Sequence, residues 1–451
     1  MKSVLQRARW LLFFGCVVPF GLKAQEPLTL HQAIQLALKQ SPDIDEARAG
    51  TQQAKAGADI ARSQLFPQIS FTEDMSSGND PVYAFGTRLR QQRFTAADFA
   101  LSSLNTPDRI GNFSTRLSGQ WLVFDSFQMQ KSIRSAHLME NSASLSAQAV
   151  DQKVVFNVVR SYQAVLYAER QVQIAQHELD TAEALLSSVD DHVKAGLAVE
   201  SDRMSALVNV AARKQTLITA QGDLDLAWAQ LRLATGSASI TQTKLKAIDL
   251  HQFPTGTLEE ELQSAAKNRK DLAALDRAQS SQAAAESAAR LSYGPKVSAY
   301  GNWQEDRPNF ARSGGNNWVV GAQISLDILP LGKRSQLASA KAAKARTDAQ
   351  ANSYQQQVRL QVNQAHIQRQ TAQLSLDTAR AAVDQATESL RILKNRYSAG
   401  LATITDLLRA EDAERQSQAN YWHAVYGNTL SYAQLLFATG TLTPDAAEDL
   451  Q

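Results

Sequence analysis

The side chains able to do chemistry are few and poorly spaced for it. Seven histidines, His31, His137, His177, His192, His251, His366 and His423, are scattered through 451 residues. None pairs with another at the His-x-x-x-His spacing that puts two imidazoles on one helix face for a metal. There is no Gly-rich phosphate loop and no Gly-x-Ser-x-Gly elbow. Asp190-Asp191 and Glu259-Glu260-Glu261 concentrate carboxylates, but such runs belong to solvated helix faces more often than to acid–base pairs. No catalytic, cofactor-binding or metal-binding residue is assigned, no cofactor is expected, and the chain is not read as an enzyme.

Two carboxylates stand out by position instead. Ala-Gly-Leu-Ala occurs at 195–198 and again at 399–402, and an Asp follows each copy at the same distance, Asp202 and Asp406. A Gln-Leu…Ala-Thr-Gly ending follows each, at 230–236 and 434–440. All these pairs lie about 204 positions apart, and self-similarity at one offset marks a duplicated structural unit. Arg409 stands three residues after Asp406, the spacing of an ion pair on a helix face. The chemistry on offer is placement of charge.

The elements that hold these positions follow from periodicity. Thr29 can cap a short helix on which Leu30, Ile34 and Leu38 recur, and Ser41-Pro42 starts another. The block returns about 228 positions later, Thr257 matching Thr29 and Asp271-Leu272 matching Asp43-Ile44. Neither Gly nor Pro occurs from 128 to 191 or from 333 to 399, lengths that as helix reach about 100 Å. Three-four spacing runs through Val158, Ser161, Val165, Ala168, Val172, Ala175, Leu179, Ala182, Leu186, Val189 and Val193. The second copy has Val362, Ala365, Arg369, Ala372, Leu376, Ala379, Val383, Ala386, Leu390, Leu393 and Tyr397. A 3.5-residue period implies a left-handed coiled coil. Only Ser161 and Arg369 break the seam. Gly196 and Gly400 suit left-handed helix ends, so each long helix should turn there and return.

Pro67 and Pro295 mark a switch to period two. Val297, Ala299, Gly301 and Trp303 alternate with Ser298, Tyr300, Asn302 and Gln304; Trp318, Val320, Ala322, Ile324 and Leu326 with Asn317, Val319, Gly321, Gln323 and Ser325; and Phe113, Leu117, Trp121 and Val123 with Ser114, Arg116, Ser118 and Gln120. Alternation gives one apolar and one polar face. That suits a half-buried soluble sheet, or barrel strands with lipid outside and water inside. Trp121, Trp303 and Trp318 favour the barrel, where aromatics sit at the lipid interface. Four strands cannot close alone, so several chains must share one barrel. Residues 74–111, rich in Ser, Asn, Asp, Gly and Pro, read as a long external loop.

The start carries Lys2, Arg7 and Arg9, then an apolar run over 10–20 and Lys23-Ala24, the pattern of a secretory signal with cleavage after Ala24. Cys16, the only cysteine, lies inside it and Phe13-Phe14-Gly15 precedes it, which argues against lipidation. Without the signal's four cations the charge is −2 from 42 basic and 44 acidic residues, giving no reason to expect nucleic-acid binding. The resulting division is a signal peptide at 1–24; a first repeat at 25–236 (β-hairpin about 67–125, helical hairpin about 128–235); a linker at 237–256; a second repeat at 257–440 (β-hairpin about 295–327, helical hairpin about 333–438); and a tail at 441–451.

Taken together, Leu30…Ala33…Ala37…Ser41-Pro42, the strand ends Phe124-Asp125 and Leu326-Asp327, and Arg396-Tyr397-Ser398-Ala399-Gly400-Leu401…Asp406 resemble the TolC family of outer-membrane efflux and secretion channels. The resemblance covers essentially the whole mature chain. It implies a mainly α fold with a membrane β-barrel: a homotrimer with a shared 12-stranded β-barrel in outer-membrane lipid and a periplasmic α-helical coiled-coil barrel. It implies a periplasmic adaptor protein and an inner-membrane pump as partners, and a location in the outer membrane of a Gram-negative bacterium. By the same resemblance Asp406 falls on an acidic position that narrows the pore, Arg409 replaces a second acid, and Tyr397 links helices at the closed tip. The turns Ala195, Gly196 and Leu197, and Ala399, Gly400 and Leu401, become adaptor-contact tips. The implied function is the passive exit duct of a tripartite efflux pump. A duct for type I protein secretion and a soluble periplasmic coiled-coil interaction protein are the competing readings.

Overall fold

A computed structural model describes residues 27–237, 240, 242, 244–246, 253–254, 256–447 and 450. The expected signal, its cleavage site, Cys16 and His251 lie outside these residues.

Two short helices open each half. Thr29 and Gln32 form a reciprocal capping box at the start of α1 (Leu30–Gln40), and Pro42 opens α2 (Pro42–Ser63). The second copy repeats the device with Thr257 and Glu260 in α7 (Leu258–Asn268), followed by α8 (Lys270–Leu291). Between them come β1 (Gln68–Gly78), α3 (Pro81–Arg90), α4 (Leu101–Asn105), β2 (Ile110–Phe124), α5 (Gln128–Lys194) and α6 (Glu200–Thr235). β3 (Lys296–Arg307), β4 (Gly315–Ser325), α9 (Leu331–Ser398) and α10 (Ile404–Thr439) complete the chain. At 67 and 68 residues, α5 and α9 each span about 100 Å. α5 contains neither Gly nor Pro, and the one glycine of α9, Gly332, sits in its first turn.

Each long helix packs against two shorter ones in series: α6 then α2 on α5, α10 then α8 on α9. α8 also lies along α5, tying the halves together. Small residues permit the approach. Ser135 and Ser281 hydroxyls meet at 3.0 Å, and Ser142 donates to the Ala274 carbonyl at 2.7 Å. The seam of the first copy is buried at Val158, Ser161, Val165, Ala168, Ala175, Ala182 and Val189. In the second, Val362, Ala365 and Arg369 are buried, but the positions from Ala372 to Tyr397 stay half-covered.

The main core lies where α1, α5, α6 and α10 converge, around Tyr162, Trp228, Leu231, Val158 and Val159. Full burial of aliphatic side chains of this size stabilises by roughly 1.5–3 kcal/mol each. Ile240, Leu245 and Phe253, read from sequence as linker, and Leu442, Ala447 and Leu450, read as tail, all join it. Leu28 bridges to Leu245, and the Tyr162 hydroxyl donates to the carbonyls of Leu28 and Lys246. Gly236 and Gly440 end the returning helices at φ +67° and +73°. A Cβ there would meet Gln40 O at 2.5 Å or Arg269 N at 2.8 Å. The repeated Ala-Thr-Gly ending is thus the place where each hairpin rests on the joint between its two short helices.

The four strands form one antiparallel sheet in the order β1-β2-β3-β4. Register places Phe71 opposite Leu117, Leu117 opposite Trp303, and Trp303 opposite Trp318. Ile69, Trp121, Ala299, Ala322, Val320 and Ile324 share that face, which is exposed: Phe71 is 70%, Trp318 73% and Ile324 74% accessible. The other face carries Ser70, Thr72, Arg116, Ser118, Asn302, Gln304, Asn317 and Gln323. Among the described residues no helix is long and apolar enough to cross a membrane.

Of residues 74–111, expected as a long loop, 74–78 and 110–111 belong to β1 and β2, and residues 79–109 are not irregular. The excursion is folded: Asp80 caps α3 through the Tyr83 N–H at 2.9 Å, Pro81 opens it, and Thr95 and Asp98 cap a 3₁₀ turn over Ala96–Phe99. Arg88 pairs with Asp98, and Phe94 stacks edge-on against Phe85 and Phe99. Asp80, Pro81 and Asp98, residue types that suggested a loop, instead cap and open the helical turns of the excursion.

Candidate functional site

The two Ala-Gly-Leu-Ala turns are built alike. Gly196 and Gly400 take φ +74° and +72° with open space around them, so conformation alone calls for glycine. The Leu197 N–H reaches back to His192 O, and the Leu401 N–H to Arg396 O, both at 2.8 Å. This closure usually brings the residue after the glycine onto the preceding turn. Here Leu197 and Leu401 remain 78% and 69% exposed. Ala195 and Ala399 are exposed beside them. Each hairpin therefore ends in a small apolar knob facing outward.

The two ends are packed together. Val189 of α5, Ala206 of α6 and Ile404 of α10 form one buried cluster, with Tyr397 of α9, Val193 and Leu408 against it. Tyr397 is thus a packing residue between the hairpins. Burial and the nearby Asp202 carboxylate push its phenol up from the usual value.

Asp406 is the third residue of α10. Its carboxylate accepts the Thr403 hydroxyl at 2.7 Å and the Thr403 N–H at 3.1 Å, while Thr403 Oγ1 accepts from the Asp406 N–H at 3.2 Å. The Thr403 hydroxyl and backbone bonds, helped by Arg409 and Arg396, hold its carboxyl below the usual aspartate range. Asp406 therefore has a structural duty, which the Thr403-x-x-Asp406 spacing already signals. It remains partly exposed, and Arg409 is exposed one turn on. The first copy lacks this box: Val199 occupies the cap position, and Arg203 instead bridges Asp190 at 2.8 Å and Glu200 at 3.1 Å.

Above the tips lies a charged cluster that the sequence reading missed. Arg213 of α6 meets Asp412 of α10 at 2.5 Å, with Glu178 of α5 at 3.7 Å, and Arg415 of α10 lies 3.8 Å from Glu178. Burial raises the Glu178 carboxyl despite Arg415 and Arg213. The signal was available in the repeat: about 204 positions away, Glu178, Arg213 and Asp412 correspond to Ala382, Ser417 and Val208. One copy is charged where the other is neutral, as expected for partners that meet across the duplication.

Arg369, the seam-breaking cation, is 2% exposed. It donates to Asn428 Oδ1 at 2.5 Å and Phe253 O at 3.1 Å, and lies over the Phe253 and Tyr432 rings. Burial lowers its pKa. It clasps the segment around Phe253 to α9 and α10.

Of the three sheet tryptophans, Trp303 and Trp318 are cross-strand neighbours toward the far end of the sheet, and Trp121 lies nearer the helices. Trp121 Nε1 donates to Leu65 O at 2.8 Å, an apolar ring with one polar anchor at a helix–strand joint. This dual character suits a lipid–water boundary.

A sequence model of the family described as outer membrane efflux protein matches residues 33–237 and 262–441. The pyoverdine export outer membrane protein OpmQ of Pseudomonas aeruginosa is 30% identical over 188 residues, covering 41% of this chain and 37% of that protein. The chain thus matches well under half the length of that relative. Protein CyaE of Bordetella pertussis is 23% identical over 425 residues, 92% of this chain and 85% of that one. The Campylobacter jejuni CmeC outer membrane channel superposes with a TM-score of 0.80 at 18% identity, covering 94% of this chain and 89% of its own. At that identity the likeness establishes the fold.

Proposed function

The chain belongs to the outer membrane efflux protein family, and from that premise we propose that three copies form the exit duct of a tripartite efflux pump. The TolC-like resemblance read from the sequence holds for fold and family, and the protein is an outer-membrane protein. The observation that carries the proposal is the sheet. Its apolar face is exposed, its other face is polar, and β1 and β4 are open edges. Open edges are not stable in hydrocarbon, so the sheet must close with copies of itself. Three four-stranded sheets make a 12-stranded barrel, with Trp121, Trp303 and Trp318 at its lipid boundaries.

In this reading α5, α6, α9 and α10 continue the barrel as a tunnel through the periplasm. The exposed knobs at Ala195, Gly196 and Leu197 and at Ala399, Gly400 and Leu401 face an adaptor protein bound to an inner-membrane pump. Asp406 and Arg409 border the pore where the tips converge, and Tyr397 packs one hairpin against the other there. A passive duct needs no catalytic group, and its cargo follows from the pump. The relative named for pyoverdine export supports a small exported molecule.

Detergent-extracted protein should run as a trimer by native mass measurement and conduct ions in a planar bilayer. A monomer released from membranes by salt alone, without detergent, would sink this reading.

A further inference from the structure

The folded excursion 79–109 covers one particular face of the sheet. Tyr83 donates to Ser76 Oγ at 3.0 Å, Gln91 Nε2 to Asn112 Oδ1 at 3.0 Å, and Asn317 Nδ2 to Arg90 O at 3.1 Å. Ser76, Asn112 and Asn317 all belong to the polar alternation. Beneath the excursion Asn112, Ser114 and Asp306, on the same polar face, are 5%, 4% and 0% exposed. At the same level on the apolar face, Met75 is 68% exposed. A loop that merely projected beyond the strands would leave both faces open.

We infer that this excursion is a luminal collar that narrows the extracellular mouth of the channel, and that its exposed surface meets the same surface on the other two copies. The inference rests on the trimeric barrel of the preceding section. In such a barrel the polar face is the inner wall, so α3 lies inside the rim. A barrel of 12 tilted strands spaced by about 4.8 Å is roughly 25 Å across between backbones. A helix with its side chains is about 10–12 Å thick. Three such helices seated against the inner rim leave no wide opening.

The excursion is also built to hold its shape there. Asp98 joins the Thr95 cap to Arg88, and Phe94 packs between Phe85 and Phe99. Val82, Phe99 and Leu101, away from the sheet, are 81%, 65% and 78% exposed. Inside a barrel the surface available to cover them is the neighbouring collars. The duct then has two narrow points, one at the helical tips and one at the outer mouth.

The mature sequence contains no cysteine once the signal is removed, so a single Leu101→Cys reports on position. In purified trimers reconstituted in lipid vesicles, a short bis-maleimide should join Leu101→Cys chains in pairs, and Val82→Cys likewise. Met75→Cys, on the lipid face, should stay unjoined. Attaching a bulky maleimide to Leu101→Cys should lower single-channel conductance, because the mouth lies in series with the tips, and should leave Met75→Cys channels unchanged. Intact trimers in which neither Leu101→Cys nor Val82→Cys chains can be joined, with conductance unaffected by the label, would overturn the collar and leave the channel reading standing. Protein that is monomeric in native measurement would overturn both.

Discussion

Arg213 of α6 and Asp412 of α10 meet at 2.5 Å, and this contact joins the first helical hairpin to the second. It lies above the tips, with Glu178 and Arg415 completing the group. Arg213 is largely buried while Asp412 is about half exposed, so solvent weakens the pair. Arg213→Ala should cost about 1 kcal/mol of stability, a modest loss. The hairpins should nevertheless separate more easily, because Glu178 then loses one of its two cations. Hydrogen exchange should rise near Glu178 and Asp412 and stay unchanged near Trp228. Equal protection in wild type and variant would show that the contact does not restrain the hairpins.

Glu178 gives this cluster a pH dependence. Burial raises its carboxyl above the unfolded value, so the folded state binds the proton more tightly. Its contribution is therefore full below the unfolded pKa of about 4.3 and is lost as pH rises through the raised folded value. Glu178→Gln should flatten that part of the stability curve measured between pH 4 and 7. An unaltered slope would assign the dependence to other groups, such as Glu411, whose carboxyl burial also raises.

The two cases locate what a single sequence can disclose. Three-four spacing found the seam, and Val158, Val165, Ala175 and Ala182 are buried as it requires. Period-two alternation found the strands and their two faces. Contacts across the duplication left no such rhythm. Ser135 against Ser281 and Arg213 against Asp412 depend on how two periodic objects are set side by side. Composition misled once: residues 79–109 resemble a loop because helix caps and loops use the same residues. The tip was legible as a turn at Gly196 and Gly400, and Thr403-x-x-Asp406 carries the capping-box spacing, so that one carboxylate combines a cap with its charge.

The four glycines at helix ends separate conformation from contact. Gly400 has a left-handed φ and nothing within 4 Å of its missing side chain. Gly440 has the same φ, but a Cβ would press on the Arg269 backbone. Gly400→Ala should cost about 1–2 kcal/mol, the left-handed penalty alone. Gly440→Ala should add a further ~1–3 kcal/mol, as overpacking does. Equal losses in denaturant melts would mean that the α7–α8 joint yields without strain.

Arg369 tests whether the buried cation holds the segment around Phe253 in place. Arg369→Ala removes the donor to Asn428 Oδ1 and Phe253 O and leaves a cavity. About 2–4 kcal/mol should be lost. Arg369→Met restores volume without the donor, so it should recover part of that loss and leave proteolysis near Phe253 elevated. If methionine fully restores resistance to protease, packing rather than the hydrogen bonds secures the segment.

Val320 and Gln323 lie on opposite faces of β4. Val320 is on the exposed apolar face opposite Gly301, between the levels of Trp318 and Trp121, and Gln323 is on the polar face. Val320→Arg should destabilise the assembled barrel by roughly 2–4 kcal/mol, the cost of a cation near mid-membrane, and should lower trimer yield. Gln323→Arg should assemble normally and alter ion selectivity instead. A full trimer yield from Val320→Arg would reverse the assignment of faces.

Asp406 has two roles that substitutions can part. Thr403→Ala removes the hydroxyl from the cap and should cost about 1 kcal/mol of helix stability while leaving the carboxylate in place. Asp406→Ala removes both the cap and the charge. If Asp406 borders the pore, block of bilayer current by a trivalent cation should weaken in Asp406→Ala and persist in Thr403→Ala. The depressed carboxyl pKa adds a pH signature. Its stabilising contribution is present above the unfolded value, about 3.9, and is lost as pH falls through the lower folded value. Wild-type block should therefore persist at pH 4.5, where an ordinary glutamate is already partly protonated. Matching loss of block in both variants would make Asp406 a capping residue only.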